Sequence, residues 1–416
     1  MNPIELQQPI LEGGIRSINF FNGRLLTARD LTREQAANRE VDKRLGRAIG
    51  EGIAYGFEVL KAPQATNASP VLTVEPGLAI NRRGQTLQLT SRIDIALVRK
   101  ASDSVNAAQV FSECLPLQTG TYVAGAGVYL LAVTPAETSE GLAATAGLEN
   151  GTASCNRDAL VSAVQFRLIQ LNPPLTAAEL QDENHLRNLI AYKCFGVADR
   201  ESFVSDPFGP AVEQYGLLDG LRPNRLTDCD VPLAVLYWTL SDGLKFIDLW
   251  SVRRRIIHPS TDKHWPLLTS DRQTGEGEAM FLQFQAQIQE QIDSGLPLST
   301  VTARGRFGHL PPAGILRVGS PNGFDYASFF NGMTYRAPIF IEGAQLRPLF
   351  QEAFNYPPID TSSKVVVWLY IVRENAQAAL STSNPPQTYL IFASGHTLYR
   401  GEARYDVHHW NFGNFS

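Results

Sequence analysis

The pattern of apolar and polar positions is most regular over residues 27–49, where it has the period of an α-helix. Thr27 and Asp30 stand at the spacing of a capping box, in which each side chain accepts a hydrogen bond from the other residue's backbone amide. The apolar positions that follow share one stripe: Val41, Leu45, Ala48 and Ile49. Charged residues occupy the other faces, and Gly50 offers a stop. The pattern predicts a capped amphipathic helix that ends near Ile49.

The period changes to two over residues 53–98, which is typical of β-strands. Turn signals interrupt this stretch at Glu75-Pro76-Gly77 and at residues 81–84. Ile93 and Ile95 alternate with polar or small neighbours. The sequence therefore predicts a small antiparallel β unit after the helix.

Two apolar runs farther along, at 128–133 and 164–171, have the length of buried strands. The stretch between them, 134–156, is small and polar, so the sequence predicts a loop there. Apolar runs at 231–240 and 244–249 flank the turn signal Ser241-Asp242-Gly243 and predict a β-hairpin.

A second capping pattern begins at Thr176, with Glu179 three residues later. The apolar residues expected on this helix are Leu180, Leu186, Leu189 and Ile190. The pattern predicts one helix through this stretch.

Prolines and small polar residues interrupt both periods over residues 257–271, which indicates a boundary. The chain beyond it has the pattern of an α+β unit. Its predicted elements are a helix near 276–293, a short helix over 346–354, and strands over 365–372 and 389–393.

A chain of 416 residues is too long for one core of ordinary size. We therefore predict an α+β protein in three parts. Residues 1–19 form an extended N-terminal arm, residues 20–257 a scaffold of helix and antiparallel β units, and residues 258–416 a separate C-terminal α+β interaction unit.

Charge and hydropathy limit the partners. The chain has 36 Lys and Arg against 41 Asp and Glu, with both signs interspersed, so we expect no nucleic-acid partner. The longest apolar runs stop far short of the roughly 20 residues that span a bilayer. We expect no transmembrane segment, and indirect association with a membrane is left open.

The chain start and the cysteines bear on the compartment. Residues 1–6 lack the basic and apolar segments of a secretory signal, which favours a cytoplasmic protein after synthesis. The four cysteines lie tens of residues apart, which favours buried thiols in a reducing compartment: Cys114, Cys155, Cys194 and Cys229.

The sequence offers weak candidates for chemistry. His408 and His409 follow Asp406, and His258 precedes His264, but neither spacing fits a common metal site. Carboxylate pairs for glycoside cleavage could be nominated at two places, Glu137 with Glu140 and Asp228 with Asp230, although such spacings are commonplace in turns. No phosphate-binding loop or nucleophile elbow occurs. We predict no catalytic, cofactor-binding or metal-binding residues, and no enzyme.

Several segments resemble a recurrent bacterial pattern found in contractile-injection and phage-tail baseplate components. The pattern opens with residues 20–31 and closes with the strand Tyr55-Gly56-Phe57-Glu58-Val59, after a long charged helix. It continues at residues 74–84, at 230–234 and at 248–254. Residues 49–53 depart from the Trp-Gly stretch usual there, so the chain resembles a divergent member.

The resemblance implies a structural subunit of a phage-tail-like contractile injection particle, in the baseplate or an associated cage. Its partners would be other subunits and copies of itself in a symmetric arrangement. The particle would assemble in the cytoplasm, with release or membrane docking left open. The residues predicted to make the contacts are Phe20, Phe21, Arg24, Trp410 and Phe412.

Aromatic residues cluster toward the C-terminus, and they have two possible roles: to anchor a partner or to fill a core. They are Phe324, Tyr326, Phe329, Phe330, Tyr335, Phe340, Tyr405, Trp410, Phe412 and Phe415. The first role supports an alternative function, a binding module that recognises a glycan or a membrane-associated receptor.

Overall fold

A computed structural model of the chain has the predicted α+β class, with a long N-terminal helix ahead of mainly antiparallel sheets. The structure describes residues 11–67, 70–97, 110–111, 126–141, 143–145, 154–197, 215–239, 241–258, 271–295, 297–319, 323–381 and 385–395.

Helix α1, Ala28–Ile49, begins and ends where the sequence predicted. The Asp30 amide donates to Thr27 Oγ1 at 3.2 Å, and the Thr27 amide donates to Asp30 Oδ2 at 3.1 Å. Of its residues, Ala37 and Gly46 are buried. A Cβ atom at Gly46 would lie 2.1 Å from the carbonyl oxygen of Gly84, so this glycine lets the helix meet the turn at residues 81–84 at backbone contact.

The β unit that follows α1 consists of two three-stranded antiparallel sheets, as the alternating pattern predicted. One sheet has the order β1-β4-β5 and the other β2-β3-β6. The strands are β1 Gly52–Gly56, β2 Val59–Lys61, β3 Val71–Val74, β4 Gly77–Ile80, β5 Thr86–Leu89 and β6 Ile93–Ala96.

A larger sheet has the order β11-β8-β12-β13, with β7 paired to β8. Its strands are β7 Val110–Phe111, β8 Gly127–Glu140, β11 Ala159–Leu171, β12 Val231–Thr239 and β13 Gly243–Asp248, and β9 Ala143–Thr145 pairs separately with β10 Ser154–Asn156. The predicted hairpin is confirmed as β12 and β13.

The loop predicted for residues 134–156 is wrong in part, because β8 continues to Glu140. Each residue from Val128 to Glu140 is paired with one of β11, so the partner strand supplies the hydrogen bonds that hold this polar stretch extended.

The single helix predicted from Thr176 is also wrong, since two helices occupy the stretch. α2, Ala177–Gln181, has the predicted capping box, and α3, Leu186–Phe195, starts after a break at Asp182. His185 Nδ1 lies 2.7 Å from Asp182 Oδ2, and this pair stabilises the turn between the helices. A short helix, α4, Gly216–Gly220, packs against α3.

The C-terminal part has the helices and strands that the sequence predicted, together with shorter ones. Its sheet has the order β15-β19-β18-β16, in which only the β16–β18 pair is parallel. The helices are α5 Arg272–Asp293, α6 Ala303–Arg306, α7 Tyr326–Phe329, α8 Leu346–Ala353 and α9 Arg373–Ser381, with 3-10 turns at Leu298–Thr300 and Gly343–Gln345. The strands are β14 His309–Leu310, β15 Ala313–Arg317, β16 Ile339–Ile341, β17 Ile359–Asp360, β18 Val367–Val372 and β19 Tyr389–Ser394.

Hydrophobic clusters separate at the middle of the chain. Two clusters contain only residues that precede 258, and two contain only residues that follow 271. A smaller cluster joins α3 to α5 through Tyr192, Phe195 and Met280. The boundary over 257–271 stays a prediction, because residues 259–270 lie outside the described part.

A buried polar junction lies beside that small cluster. Arg187 on α3 donates through Nε to Asp248 Oδ2 at 2.7 Å and also pairs with Glu290 on α5. Gln283, also on α5, donates to the same Asp248 oxygen at 3.0 Å. Asp248 on β13 therefore connects a helix that precedes the predicted boundary with one that follows it.

Candidate protein-interaction surface

Phe20 and Phe21, two of the predicted contact residues, lie on the surface with 56% and 62% of their area exposed. Arg24 lies between Phe21 and the start of α1. Its guanidinium donates to the Asn19 carbonyl oxygen at 2.9 Å, pairs with Asp30 at 2.9 Å, and lies 5.9 Å from the centre of the Phe21 ring. An ordered arginine stacked on an exposed aromatic ring is a common anchor in protein interfaces.

Three leucines that the sequence reasoning did not select extend this surface. Leu25 is 87% exposed, and Leu26 and Leu31 are also exposed. The signal for them was present, because two consecutive leucines directly before a helix cap have no local partner to cover them. We call Phe20, Phe21, Leu25, Leu26 and Leu31 the N-terminal apolar surface.

The apolar stripe of α1 also lies on the outside. Val41, Leu45 and Ile49 are all exposed, and we call them the helix stripe. Sequence periodicity predicted the stripe but not its exposure, because an amphipathic pattern alone does not say whether a core or a partner covers the apolar side. Large exposed apolar residues grouped in this way are typical of protein interaction sites.

Polar contacts hold α1 in place while its stripe stays uncovered. The Ile18 amide donates to Glu34 Oε2 at 2.9 Å, and Arg44 donates to the Gly13 carbonyl oxygen at 2.6 Å. Residues 13–18 therefore run along α1 in the opposite direction. Arg39 pairs with Glu137 of β8 at 3.4 Å.

The Asp30 carboxylate of the cap is ionised, so its contact with Arg24 is an ion pair. The pKa of Asp30 is lowered, first by the Thr27 hydroxyl and then by the Thr27 amide and Arg24. Asp30 is thus ionised at neutral pH, so one carboxylate caps α1 and holds the arginine beside Phe21.

The other two predicted contact residues, Trp410 and Phe412, lie outside the described residues. Within the described part, the C-terminal aromatic cluster mostly fills a core. Phe324, Phe329 and Phe330 are buried, whereas Phe340 on β16 is half exposed. The aromatic side chains available to a glycan or receptor on this part of the surface are therefore few.

Three of the four carboxylates nominated for catalysis, Glu137, Asp228 and Asp230, have structural partners. Glu137 pairs with Arg39 on α1. Asp230 pairs with Arg167 at 2.5 Å and accepts from the Thr227 amide at 2.7 Å, and Asp228 pairs with Arg222 at 3.5 Å. Among the described residues, no group of three or more His, Cys, Asp or Glu side chains could hold a metal ion.

A cavity of about 100 Å³ near the start of α5 contains the densest set of charges. Arg272 pairs with Asp219 at 2.8 Å and with Glu276 at 2.9 Å, and Arg82 pairs with Glu51 at 2.5 Å. Each of these carboxylates is bound to an arginine, so the arrangement balances charge at a junction.

The cysteines differ from the prediction of uniformly free thiols. Cys194 on α3 is a buried free thiol, and burial raises its pKa to about 12. Cys229, in contrast, is buried and disulfide-bonded. The spacing of cysteines in the sequence gave no indication of this bond, since disulfide pairing depends on the fold.

Segments that carry the family resemblance meet in the structure. Phe57 has a φ of 58° and is fully buried, and its amide donates to the Pro76 carbonyl oxygen at 3.1 Å. Arg253 donates to the carbonyl oxygens of Phe57 at 3.1 Å and Gly56 at 2.5 Å. These parts of the pattern therefore maintain a tight turn and a core.

Neither the protein-family models nor the curated proteins contain a match to this chain. In the described part of the structure, no helix combines the length and the apolar character needed to cross a bilayer.

Proposed function

We propose that this protein is a structural subunit of a phage-tail-like contractile injection particle, placed in the baseplate or an associated cage. The observation that carries the proposal is the N-terminal apolar surface together with the helix stripe. Eight large apolar side chains lie exposed over residues 20–49, beside an arginine that is already ordered. The sequence resemblance begins in the same segment.

The energetics of these residues favour several weak contacts over one strong contact. Full burial of one Leu or Phe side chain contributes about 1.5–3 kcal/mol. Association costs about 4–15 kcal/mol in lost translational and rotational freedom. Eight side chains that are roughly half exposed therefore offset this cost only narrowly, which suits a subunit held by several neighbours at once.

The proposal includes no catalytic role. Glu137, Asp228 and Asp230 are ion-paired, and the buried charges of the junctions neutralise one another. In this proposal the protein acts through the shape and contact area that it presents to other subunits and to copies of itself.

We further propose synthesis and assembly in the cytoplasm. The disulfide at Cys229 is a kind of bond that persists mainly in oxidising surroundings, which fits a particle that leaves the cell after assembly.

The experiment that tests the proposal is incorporation into particles. The double variant Phe20→Ser, Phe21→Ser should remain folded by circular dichroism yet be lost from particles purified by density gradient, because the anchor rings are gone. The matched control is Leu380→Ser, which removes an apolar side chain that is 90% exposed on α9. Normal incorporation of the double variant would contradict the role of this surface.

A deletion of residues 405–416 tests the predicted C-terminal contacts, Trp410 and Phe412, in the same assay. We expect a folded protein that no longer enters particles. Full incorporation of the shortened chain would limit the contacts to the N-terminal apolar surface and the helix stripe.

A further inference from the structure

Strand β11 forms an unusually long sheet edge. The order β11-β8-β12-β13 places it at one side of the sheet, and its 13 residues extend over about 43 Å. β12 pairs with β8 as far as Val133, and beyond that point the two-residue strand β7 pairs with β8 at Glu137 and Thr138, while β11 continues along β8 to Glu140. Within the described ranges, no strand pairs with the outer side of β11.

The distal end of this edge faces solvent. Residues 159–162 are all exposed, including Leu160 at 57% and Val161 at 37%. An edge strand presents unpaired backbone donors and acceptors, and a long, neutral, apolar edge readily adds another strand.

Other edges of the described sheets are protected in ways that β11 is not. β13 has six residues, carries Lys245 and Asp248, and has an irregular register with β12. β5 has four residues and β16 has three. Short strands, charges and bulges are the features that prevent edge-to-edge pairing. From Ala159 to Phe166, β11 has no charge, no proline and no glycine.

We propose that β11 pairs with β11 of a second copy of this chain, antiparallel and about a two-fold axis. The inference rests on the proposed assembly role and specifies one of its partners. A strand is the required occupant, because only extended backbone satisfies a row of edge amides and carbonyls at their spacing. A pairing over residues 159–166 would add about eight backbone hydrogen bonds.

A second copy is a suitable partner because two copies of one edge pair well only where like charges do not repel each other. Near a two-fold axis each residue faces itself or a close neighbour, so a single Lys or Asp there would confront its own copy. The eight residues from Ala159 to Phe166 contain no such residue. In a pairing over residues 159–166, Leu160 would face the uncharged Gln165 and Val161 would face Val164.

The first test measures self-association of the purified full-length chain by sedimentation equilibrium. Wild type should form dimers, and Val161→Lys should weaken dimerisation about tenfold or more, because a charged lysine on an edge strand opposes pairing with another strand. Leu380→Lys, which adds the same charge on exposed α9, should dimerise like wild type. A monomeric wild type, or equal dimerisation of the two variants, would overturn the proposal.

A second test locates the axis. Leu160→Cys, Val161→Cys and Ser162→Cys are oxidised one at a time, and the position nearest the axis should form a covalent dimer on non-reducing gels. Ser241→Cys, on the exposed turn between β12 and β13, should not. Cross-linking at Ser241→Cys but at none of the β11 positions would place the contact elsewhere and reject the β11 pairing.

The two tests separate this inference from the proposed function. If wild type is monomeric and Val161→Lys is still absent from particles, a strand of another subunit occupies the edge. The second-copy proposal then fails while the assembly role stands. If the β11 dimer forms but the Phe20 and Phe21 variant still enters particles normally, the pairing stands and the proposed role of the N-terminal apolar surface fails.

Discussion

The thiol of Cys194 couples the stability of the protein to pH. It is fully enclosed on α3, and burial raises its pKa from 9.0 to about 12, partly offset by the neighbouring charge of Arg254. Burial lowers the pKa of Arg254 to about 10, so this guanidinium is protonated at neutral pH. It stacks on Phe195 with its carbon 4.9 Å from the ring centre.

We expect Cys194 to make the protein less stable above pH 9. In the unfolded chain the thiol loses its proton near pH 9, whereas the folded state keeps it until about pH 12. Ionisation of the thiol therefore favours unfolding, and the contribution of Cys194 to the free energy of unfolding should fall by about 2 kcal/mol between pH 8 and 10.5. Urea titrations at pH 8 and 10.5 measure the change.

Cys194→Ala provides the control for this pH effect. The variant is less stable at both pH values because it leaves a small cavity, but it lacks the ionisable group. Its loss of stability between pH 8 and 10.5 should be about 2 kcal/mol smaller than that of wild type. Identical pH slopes for the two proteins would contradict the buried-thiol explanation.

At the scale of elements, α1 depends on its cap more than a buried helix would. With only Ala37 and Gly46 buried, little tertiary packing holds the helix, and its first turn has the Thr27–Asp30 box as its main support. The cap also positions Arg24 beside Phe21, so the start of the helix and the N-terminal apolar surface form one unit.

Thr27→Ala should loosen the first turn of α1 by about 1 kcal/mol. Amide hydrogen exchange of residues 28–34 should become faster, and exposure of the Arg24 segment should rise with it. Thr32→Ala is the matched control, because it is the same substitution made inside the helix. There the Thr32 hydroxyl donates to the Ala28 carbonyl oxygen and does not cap the helix. Equal exchange in the two variants would argue against the cap.

The elements that sequence reasoning predicted well are those whose determinants are local. The cap at Thr27 and the turn at Ser241-Asp242-Gly243 act within a few residues, so their signals are visible in the sequence. The extension of β8 to Glu140 depends on pairing with β11, some twenty residues away. The break at Asp182 depends on the contact with His185, which periodicity does not reveal.

For the candidate surface, the sequence indicated Phe20, Phe21 and Arg24 through the resemblance, and it indicated the stripe of α1 through periodicity. It could not reveal that the stripe is exposed, because that depends on what packs against α1 in three dimensions. The sequence also left two roles open for Phe329 and Phe330, a partner anchor or a core, because burial depends on the three-dimensional packing.

At the scale of the whole molecule, Asp248 binds polar side chains from both sides of the predicted boundary. It accepts hydrogen bonds from Arg187 and Gln283, and also from the Ser251 amide at 2.9 Å. Arg187 is almost fully buried, so loss of this carboxylate would leave the guanidinium with Glu290 alone.

Asp248→Ala should therefore lower the free energy of unfolding by about 3–5 kcal/mol. Glu290→Ala removes the other partner of the same arginine, but Glu290 is 61% exposed, so its loss should cost less than about 1 kcal/mol. Chemical denaturation of both variants measures the difference. Similar losses in the two proteins would show that burial does not determine how much each ion pair contributes to the free energy of unfolding.

The small cluster between α3 and α5 has a practical consequence for dissecting the molecule. A fragment that begins at residue 271 would carry Ala279 and Met280 without the aromatic rings of Tyr192 and Phe195 that cover them. Such a fragment would expose an apolar patch that is buried in the intact chain. It would bind nonspecifically to glycan arrays or liposomes. Ligand screens on this protein are therefore best made with the intact chain.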